Sequence, residues 1–374
     1  MNKSSLTGIH KYQLDTPCLV IDKKKLEYNL AYMREHCLRQ GIQLRPHCKT
    51  HKCSRLAEMQ MDYGAAGLCV AKVSEALVLA RNGMDHILIT SPVVSNYKIQ
   101  QLMMCHQLCS SLTAVVDNKE NIRQLNNAAL ITGKALSVLI DVNSGIGRTG
   151  VNPEDALALG QFVQQMPGLR LGGIQCYAGN LQHLMLYAER KNKSLAVMEM
   201  ASELLRQFRN AGLPCPILTG TGTGTFDIDC QASEVTEIQP GSYTVMDVQY
   251  TEIASAADNH LSPFQPAMTL LTTVISSNQS THVTVDAGTK ALYVDRCKPV
   301  IINRPGLEYD WAGFGDEHGR VYSPVNAPLP KNGDVLELIV PHCDPTINLH
   351  DHFNIIENDV VVDVWEIDMR GKCQ

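Results

Sequence analysis

The chain has 374 residues, 44% of them apolar, and a formal net charge of −6, which is enough for a large core and, on length, for about two domains. Mild acidity gives no electrostatic ground for nucleic acid or an anionic membrane as partner, and no apolar run approaches the roughly 20 residues of a membrane span. The N-terminal stretch MNKSSLTGIHKYQLDTP lacks the apolar centre of a signal peptide, so the expected location is the cytoplasm, and the thirteen scattered cysteines, with no CxxC pair, are expected to be reduced and mostly buried.

In chain order, PCLVID (17–22) reads as a strand or strand lead-in, and Asp22 is placed to cap a helix whose Leu26, Leu30, Met33 and Cys37 share one face. Strand-like apolar runs then follow at 42–46, 66–71, 86–90, 112–117, 136–143, 171–177, 216–220 and 235–239. Amphipathic helix patterns fill most gaps, among them 73–83 and 194–212. Eight strand–helix units over this length match a (β/α)8 TIM barrel. A doubly wound open sheet is the competitor, but the chain has no GxGxxG after its first strand. After about residue 262 the segments AMTLLTTVISS, THVTVDAG, GDVLELIVP and DVVVDVWEI alternate as strands between turns rich in Gly, Pro and Asn, which predicts a mainly-β domain.

A barrel gathers its functional groups at the carboxyl ends of its strands. There the sequence places Arg45, His47, Lys49 and His51 after the first barrel strand, and Asp141, Asn143 and SGIGRTG with Arg148 after the fifth. Tyr177 and AGNLQH with His183 follow the sixth, TGTGTGT (219–225) the seventh, and QPGSYTVMD (239–247) the eighth. In TGTGTGT the glycines Gly220 and Gly222 let backbone amides approach an anion, while Thr221 and Thr223 add hydroxyls; the spacing is not that of a nucleotide P-loop. A lysine at a barrel mouth, desolvated and beside cationic neighbours, has a lowered pKa and is available as an amine nucleophile. An amine facing a phosphate cradle points to pyridoxal 5′-phosphate (PLP). In VPHCDPTINLHD an extended backbone puts His342 and Asp344 on one face and Cys343 on the other. That mixed nitrogen–carboxylate pair suits a divalent ion, Mn²⁺, Mg²⁺ or Zn²⁺, with open positions for water or substrate.

Taken together, RPHCKTHK (45–52), KVSEAL (72–77), GIGRTGV (145–151), the Tyr177–His183 segment, TGTGTGT, QPGSYTVMD, VDAGTKAL (285–292), DEHG (316–319) and PHCDPTINLHD (341–351) resemble the D-threonine aldolase and D-serine dehydratase family of the alanine racemase fold type. The resemblance covers nearly the whole chain, in order. It implies a PLP-binding barrel over 15–260, and a β domain from 1–14 and 261–374 that carries the metal site. It also implies a homodimer whose active site is completed by the partner's β domain. Lys49 matches the Schiff-base lysine, Arg148 the arginine near the pyridoxal hydroxyl, Tyr177 a tyrosine lining the cofactor, and His183 a histidine that handles the substrate β-hydroxyl; His342 and Asp344 match the metal pair. The dehydratase branch resembles His-x-Cys at the metal, whereas this chain reads His-x-Asp, which resembles the aldolase branch and favours Mn²⁺. The expected activity is therefore retro-aldol cleavage of a small D-β-hydroxy-α-amino acid, such as D-threonine, to glycine and an aldehyde. The alternative is dehydration of D-serine or D-threo-3-hydroxyaspartate. A non-catalytic carrier of PLP is disfavoured, since it would need neither the metal pair nor a second domain.

Overall fold

The computed structural model describes residues 6–256, 262–294, 297–311 and 313–374. The chain divides into two compact units. One comprises Met33–Lys49, Leu56–Gly241 and Gly371–Gln374; the other comprises the described residues of Met1–Tyr32, Thr50–Arg55 and Ser242–Arg370.

Strand β1 (Cys18–Asp22), which belongs to the second unit, leads into helix α1 (Lys23–Gln40). The first unit is built from β2 (Gln43–Leu44), α2 (Ser54–Asp62), β3 (Leu68–Val70), α3 (Val73–Arg81), β4 (Ile87–Ile89), α4 (Asn96–Leu108), β5 (Leu112–Val116), α5 (Lys119–Thr132), β6 (Leu136–Asp141), α6 (Pro153–Gln164), β7 (Leu169–Gln175), α7 (Tyr187–Asn210), β8 (Ile217–Thr219), α8 (Phe226–Asp229) and β9 (Glu237–Ile238). Strands β3 to β8 pair in parallel in sequence order, and β2 pairs with β9 in parallel. The ring closes on one side through the parallel bridge between His47 and Cys69. On the other side the Thr236 N–H donates to the Leu218 carbonyl at 3.0 Å. This is the (β/α)8 barrel, and each of the eight expected strand windows overlaps one of its strands. Its strands are largely apolar on both faces, as in the fully buried β3 and β4, because helices cover the outside while side chains fill the inside.

The β6–β7 pairing slips register between Val138 and Leu139, opposite Gly172 and Gly173. Gly173 has φ +146°, and a Cβ there would lie 2.0 Å from the Ile217 carbonyl oxygen on β8. Gly173→Ala is therefore expected to destabilise the protein by at least about 2 kcal/mol, seen as a clear drop in the thermal unfolding midpoint. An unchanged midpoint would show that the bulge relaxes.

In the second unit, α9 (Val248–Thr251) precedes a sheet made by β10 (Met268–Ser276), β11 (His282–Val285), β12 (Val300–Ile301), β13 (Glu308–Asp310), β14 (Gly319–Tyr322), β15 (Val335–Ile339), β16 (His352–Glu357) and β17 (Val360–Glu366), with the one-turn helix α10 (Cys343–Ile347) between β15 and β16. β1 lies inside this sheet, antiparallel to β10 and parallel to β16. Val20 of β1 packs with Leu14, Leu271, Ile356 and Val361 in a buried cluster, so the chain's first strand serves this core.

Candidate active site

Lys49 lies in a turn that follows β2. The Cys48 N–H donates to the Cys69 carbonyl at 2.8 Å, and the His47 N–H to the Pro240 carbonyl at 3.0 Å, which fixes this turn to the ends of two neighbouring strand segments. The His47 ring accepts the Lys49 N–H on Nδ1 at 3.4 Å and contacts the Thr90 hydroxyl through Nε2 at 3.1 Å. His51 accepts the Cys53 N–H on Nδ1 at 3.2 Å. Each imidazole thus closes a local turn two residues on, as Asx side chains do. Lys49 itself is half-buried.

Arg148 lies in the loop after β6, with its guanidinium carbon 5.6 Å from the centre of the Tyr177 ring. That cation–π contact, and the Ser144 hydroxyl donating to the Tyr177 carbonyl at 2.8 Å, join the ends of the fifth and sixth barrel strands. Tyr177 and His183 are both half-buried, on either side of a 3₁₀ turn at Gly179–Leu181.

The TGTGTGT loop lies against the 176–182 segment. Gly220 has φ +152°, and a Cβ there would sit 1.8 Å from the Cys176 carbonyl oxygen; Cβ atoms at Gly222 and Gly224 would sit 2.4 Å and 2.0 Å from Gln182 atoms. The glycines therefore serve close packing as well as openness to a ligand. The hydroxyls also face protein. Thr219 accepts from the Gln239 amide at 2.8 Å, and Thr225 donates to Asp229 at 2.7 Å and accepts from Gln182 Nε2 at 3.0 Å. The Thr221 hydroxyl approaches the same Asp229 carboxylate at poorer geometry. Burial pushes the Asp229 carboxyl up to about 6, against hydrogen bonds from Ser194 and Thr225 that pull it down. Thr221 and Gly222 are buried, and among the described residues nothing accepts their backbone N–H groups. Buried amide donors without a protein acceptor, on a loop that follows a barrel strand, fit a phosphate group.

Beneath these groups a belt of polar side chains crosses the barrel interior. Gln239 Nε2 reaches Thr219 and, at 3.5 Å, Gln175 Oε1; Gln175 Nε2 donates to Asp141 at 2.9 Å and to the Thr90 carbonyl at 3.1 Å. His47 completes the belt at Thr90. Asp141 is 4% exposed, and burial pushes its carboxyl above the ordinary range although the Gln175 amide lowers it. His47, Gln175 and Thr219 each stand two residues before a candidate site residue: Lys49, Tyr177 and Thr221. Gln175 lies inside a strand run and carries no sequence signal of its own, whereas Gln239 opens the QPGSYTVMD motif.

In the second unit, His342 Nε2 is 4.0 Å from Asp344 Oδ1. Their side chains are 24% and 22% exposed, open enough to receive an ion yet partly desolvated. The Ser242 hydroxyl donates to Asp344 Oδ1 at 3.3 Å, and the Tyr293 ring meets the His342 ring edge-on at 6.3 Å. The extended backbone expected through 342–344 stops at His342 (φ −143°, ψ 119°), and α10 begins at Cys343. Pro345 is tolerated in a first helical turn and Asp344 is favoured there, while Asp247 accepts the Cys343 N–H at 2.9 Å. Cys343 is wholly buried, and burial pushes its thiol far above the ordinary range. Burial likewise lifts Asp247 to about 6, partly offset by the N–H groups of Cys343 and Tyr250. Among the described residues there is no group of three or more His, Cys, Asp or Glu able to hold an ion. A nitrogen and a carboxylate would fit a hard or borderline divalent ion that takes its remaining ligands from water or substrate.

Residues 21–249 match the family described as "Alanine racemase, N-terminal domain", and residues 267–356 match "Putative serine dehydratase domain". A D-threonine aldolase from Arthrobacter sp is 37% identical over 361 residues, covering 96% of this chain and 93% of that one. The chain belongs to the D-threonine aldolase and D-serine dehydratase family of alanine racemase-fold enzymes. Within that family, a D-threo-3-hydroxyaspartate dehydratase from Delftia sp. (strain HT23) is 31% identical over 76% of this chain and 74% of its own. The crystal structure of a D-threonine aldolase from Filomicrobium marinum superposes with a TM-score of 0.94 at 34% identity, over the full length of both chains. The family's named activities, aldolase and dehydratase, are lyase activities. No helix among the described residues is long and apolar enough to cross a membrane, and none of the thirteen cysteines is in a disulfide.

Proposed function

We propose that this protein is a PLP- and divalent-metal-dependent aldolase that cleaves D-threonine and related D-β-hydroxy-α-amino acids to glycine and an aldehyde, acting as a cytoplasmic homodimer. The observation that carries the aldolase reading over the dehydratase is the metal pair. Two residues after His342 stands a partly exposed carboxylate, Asp344, while the thiol of Cys343 is wholly buried. An oxygen ligand selects Mn²⁺, with Mg²⁺ or Zn²⁺ as alternatives; a thiolate would select zinc.

Lys49 would carry the cofactor, the Thr221 and Gly222 amides would receive its phosphate, and Arg148 would stand at its ring hydroxyl, held by Tyr177. When bound, PLP supplies a conjugated ring that accepts the electron pair left at Cα. Tyr177 and the Arg148 loop would orient the substrate and restrict water, and that orientation would select which bond at Cα reacts. His183 would take the proton from the substrate β-oxygen, acting as general base. A divalent ion on His342 and Asp344 would supply positive charge that lowers the pKa of a coordinated hydroxyl.

Incubation with D-threonine tests the assignment directly. Glycine and acetaldehyde are the expected products. Formation of 2-oxobutanoate and ammonia in their place would move the protein to the dehydratase branch.

A further inference from the structure

Arg190 is one of the largest side chains wholly removed from solvent, at 2% exposure. It lies in the first turns of α7, where a cation opposes the helix dipole, and burial lowers its pKa although Asp227 raises it. A buried cation at a helix start is a costly arrangement, so its contacts are informative. Its Nε donates to the Gly224 carbonyl at 2.7 Å, and its Nη1 donates to the Leu184 carbonyl at 2.5 Å and to the Met185 carbonyl at 3.4 Å. The other end of Gly224 is held as well: its N–H donates to Gln182 Oε1 at 2.9 Å, while Gln182 Nε2 donates to the Thr225 hydroxyl at 3.0 Å. No Cβ fits at Gly224, because the Gln182 carbonyl oxygen lies 2.0 Å from where it would be. The TGTGTGT loop is thus gripped at one residue from both sides, and both grips lead to the residues flanking His183.

We propose that Arg190 and Gln182 are positioning residues that lock the phosphate loop to the His183 segment, so that the phosphate subsite and the proton acceptor are set as one body. Arg190 also places a permanent positive charge behind a loop whose amides would face an anion, and it works with those amides rather than replacing them. Neither residue touches the reacting atoms. Gln182 acts through the Gly224 peptide and its own neighbour His183, and Arg190 acts through the carbonyls of Gly224 and Leu184. This inference rests on the cofactor assignment proposed above.

The test uses full-length protein freed of cofactor, titrated with PLP and separately with pyridoxal, which lacks the phosphate, and followed by imine absorbance. Arg190→Gln and Gln182→Met are each expected to weaken PLP by at least about 10-fold while leaving pyridoxal within about two-fold. Arg190→Lys keeps the charge and one hydrogen bond and is expected to recover part of the loss. The midpoint assigned to His183 in the pH profile of kcat/KM is expected to move in Gln182→Met. Equal losses for PLP and pyridoxal, or no loss in folded variants, would overturn the clamp. If Arg190→Gln fails to fold, the Gln182→Met titration decides alone. Wild-type protein that binds neither compound would instead overturn the cofactor assignment itself, a result separable from failure of the clamp.

Discussion

Lys49→Ala is expected to yield a folded but colourless protein, with no imine absorption after addition of PLP, and turnover of D-threonine lower by about 10⁴-fold, the upper range for one positioned acid–base group. The backbone around Lys49 supports this separation of folding from function. Its turn is fixed by main-chain bonds from His47 to Pro240 and from Cys48 to Cys69, and by the His47 ring, and none of them uses the lysine side chain. Alanine meets no steric obstacle there, so the thermal midpoint should stay close to wild type. The loss would then come from the missing amine, which on the proposed reading would both carry the cofactor and exchange protons beside it. A variant that stays yellow after dialysis would show that another amine holds PLP, and the role given to the strand end at 45–49 would fall.

The barrel was legible because its strands are short, apolar runs spaced by amphipathic helices, and that pattern comes directly from burying a parallel sheet on both faces. The groups at the strand ends were legible for a related reason: Lys49, Tyr177 and the glycine–threonine loop each follow an apolar run. Arg190 was not. It sits in AERKNK, a charged stretch in which periodicity cannot distinguish the one cation that turns inward from those that stay solvated, and the carbonyl that its Nε meets, that of Gly224, comes from a loop remote in sequence. The alternation of the loop does not tell its threonines apart: Thr219 and Thr225, flanking the Thr221 and Thr223 read as donors to an anion, bond Gln239 and Asp229, because a buried hydroxyl takes the nearest protein partner. PCLVID reads as a strand or strand lead-in, but the pairing of β1 with β10 and β16 joins segments about 250 and 330 residues away, and no local pattern encodes such a partner.

Chelation with EDTA is expected to lower turnover by about 10³-fold, equivalent to several kcal/mol of charge stabilisation, with the yellow colour retained. Mn²⁺ should restore the wild type. Asp344→Ala should show the same loss without chelator and recover poorly at Mn²⁺ concentrations that saturate the wild type. Cys343→Ala supplies the contrast. The Cys343 thiol is wholly buried and donates to Asp344 Oδ1 at 3.4 Å rather than facing the open side of the pair, so its removal should leave the metal dependence intact and cost packing and one weak hydrogen bond. Ser242→Ala probes the support of the carboxylate. Its hydroxyl reaches Asp344 Oδ1 at 3.3 Å, and loss of such an orienting bond ordinarily weakens a metal by about 10-fold or more. Turnover indifferent to EDTA would remove the ion from the reaction. Metal dependence lost in Cys343→Ala but kept in Asp344→Ala would shift the ligand to sulfur, and with it the preference from manganese to zinc and from carbon–carbon cleavage towards dehydration.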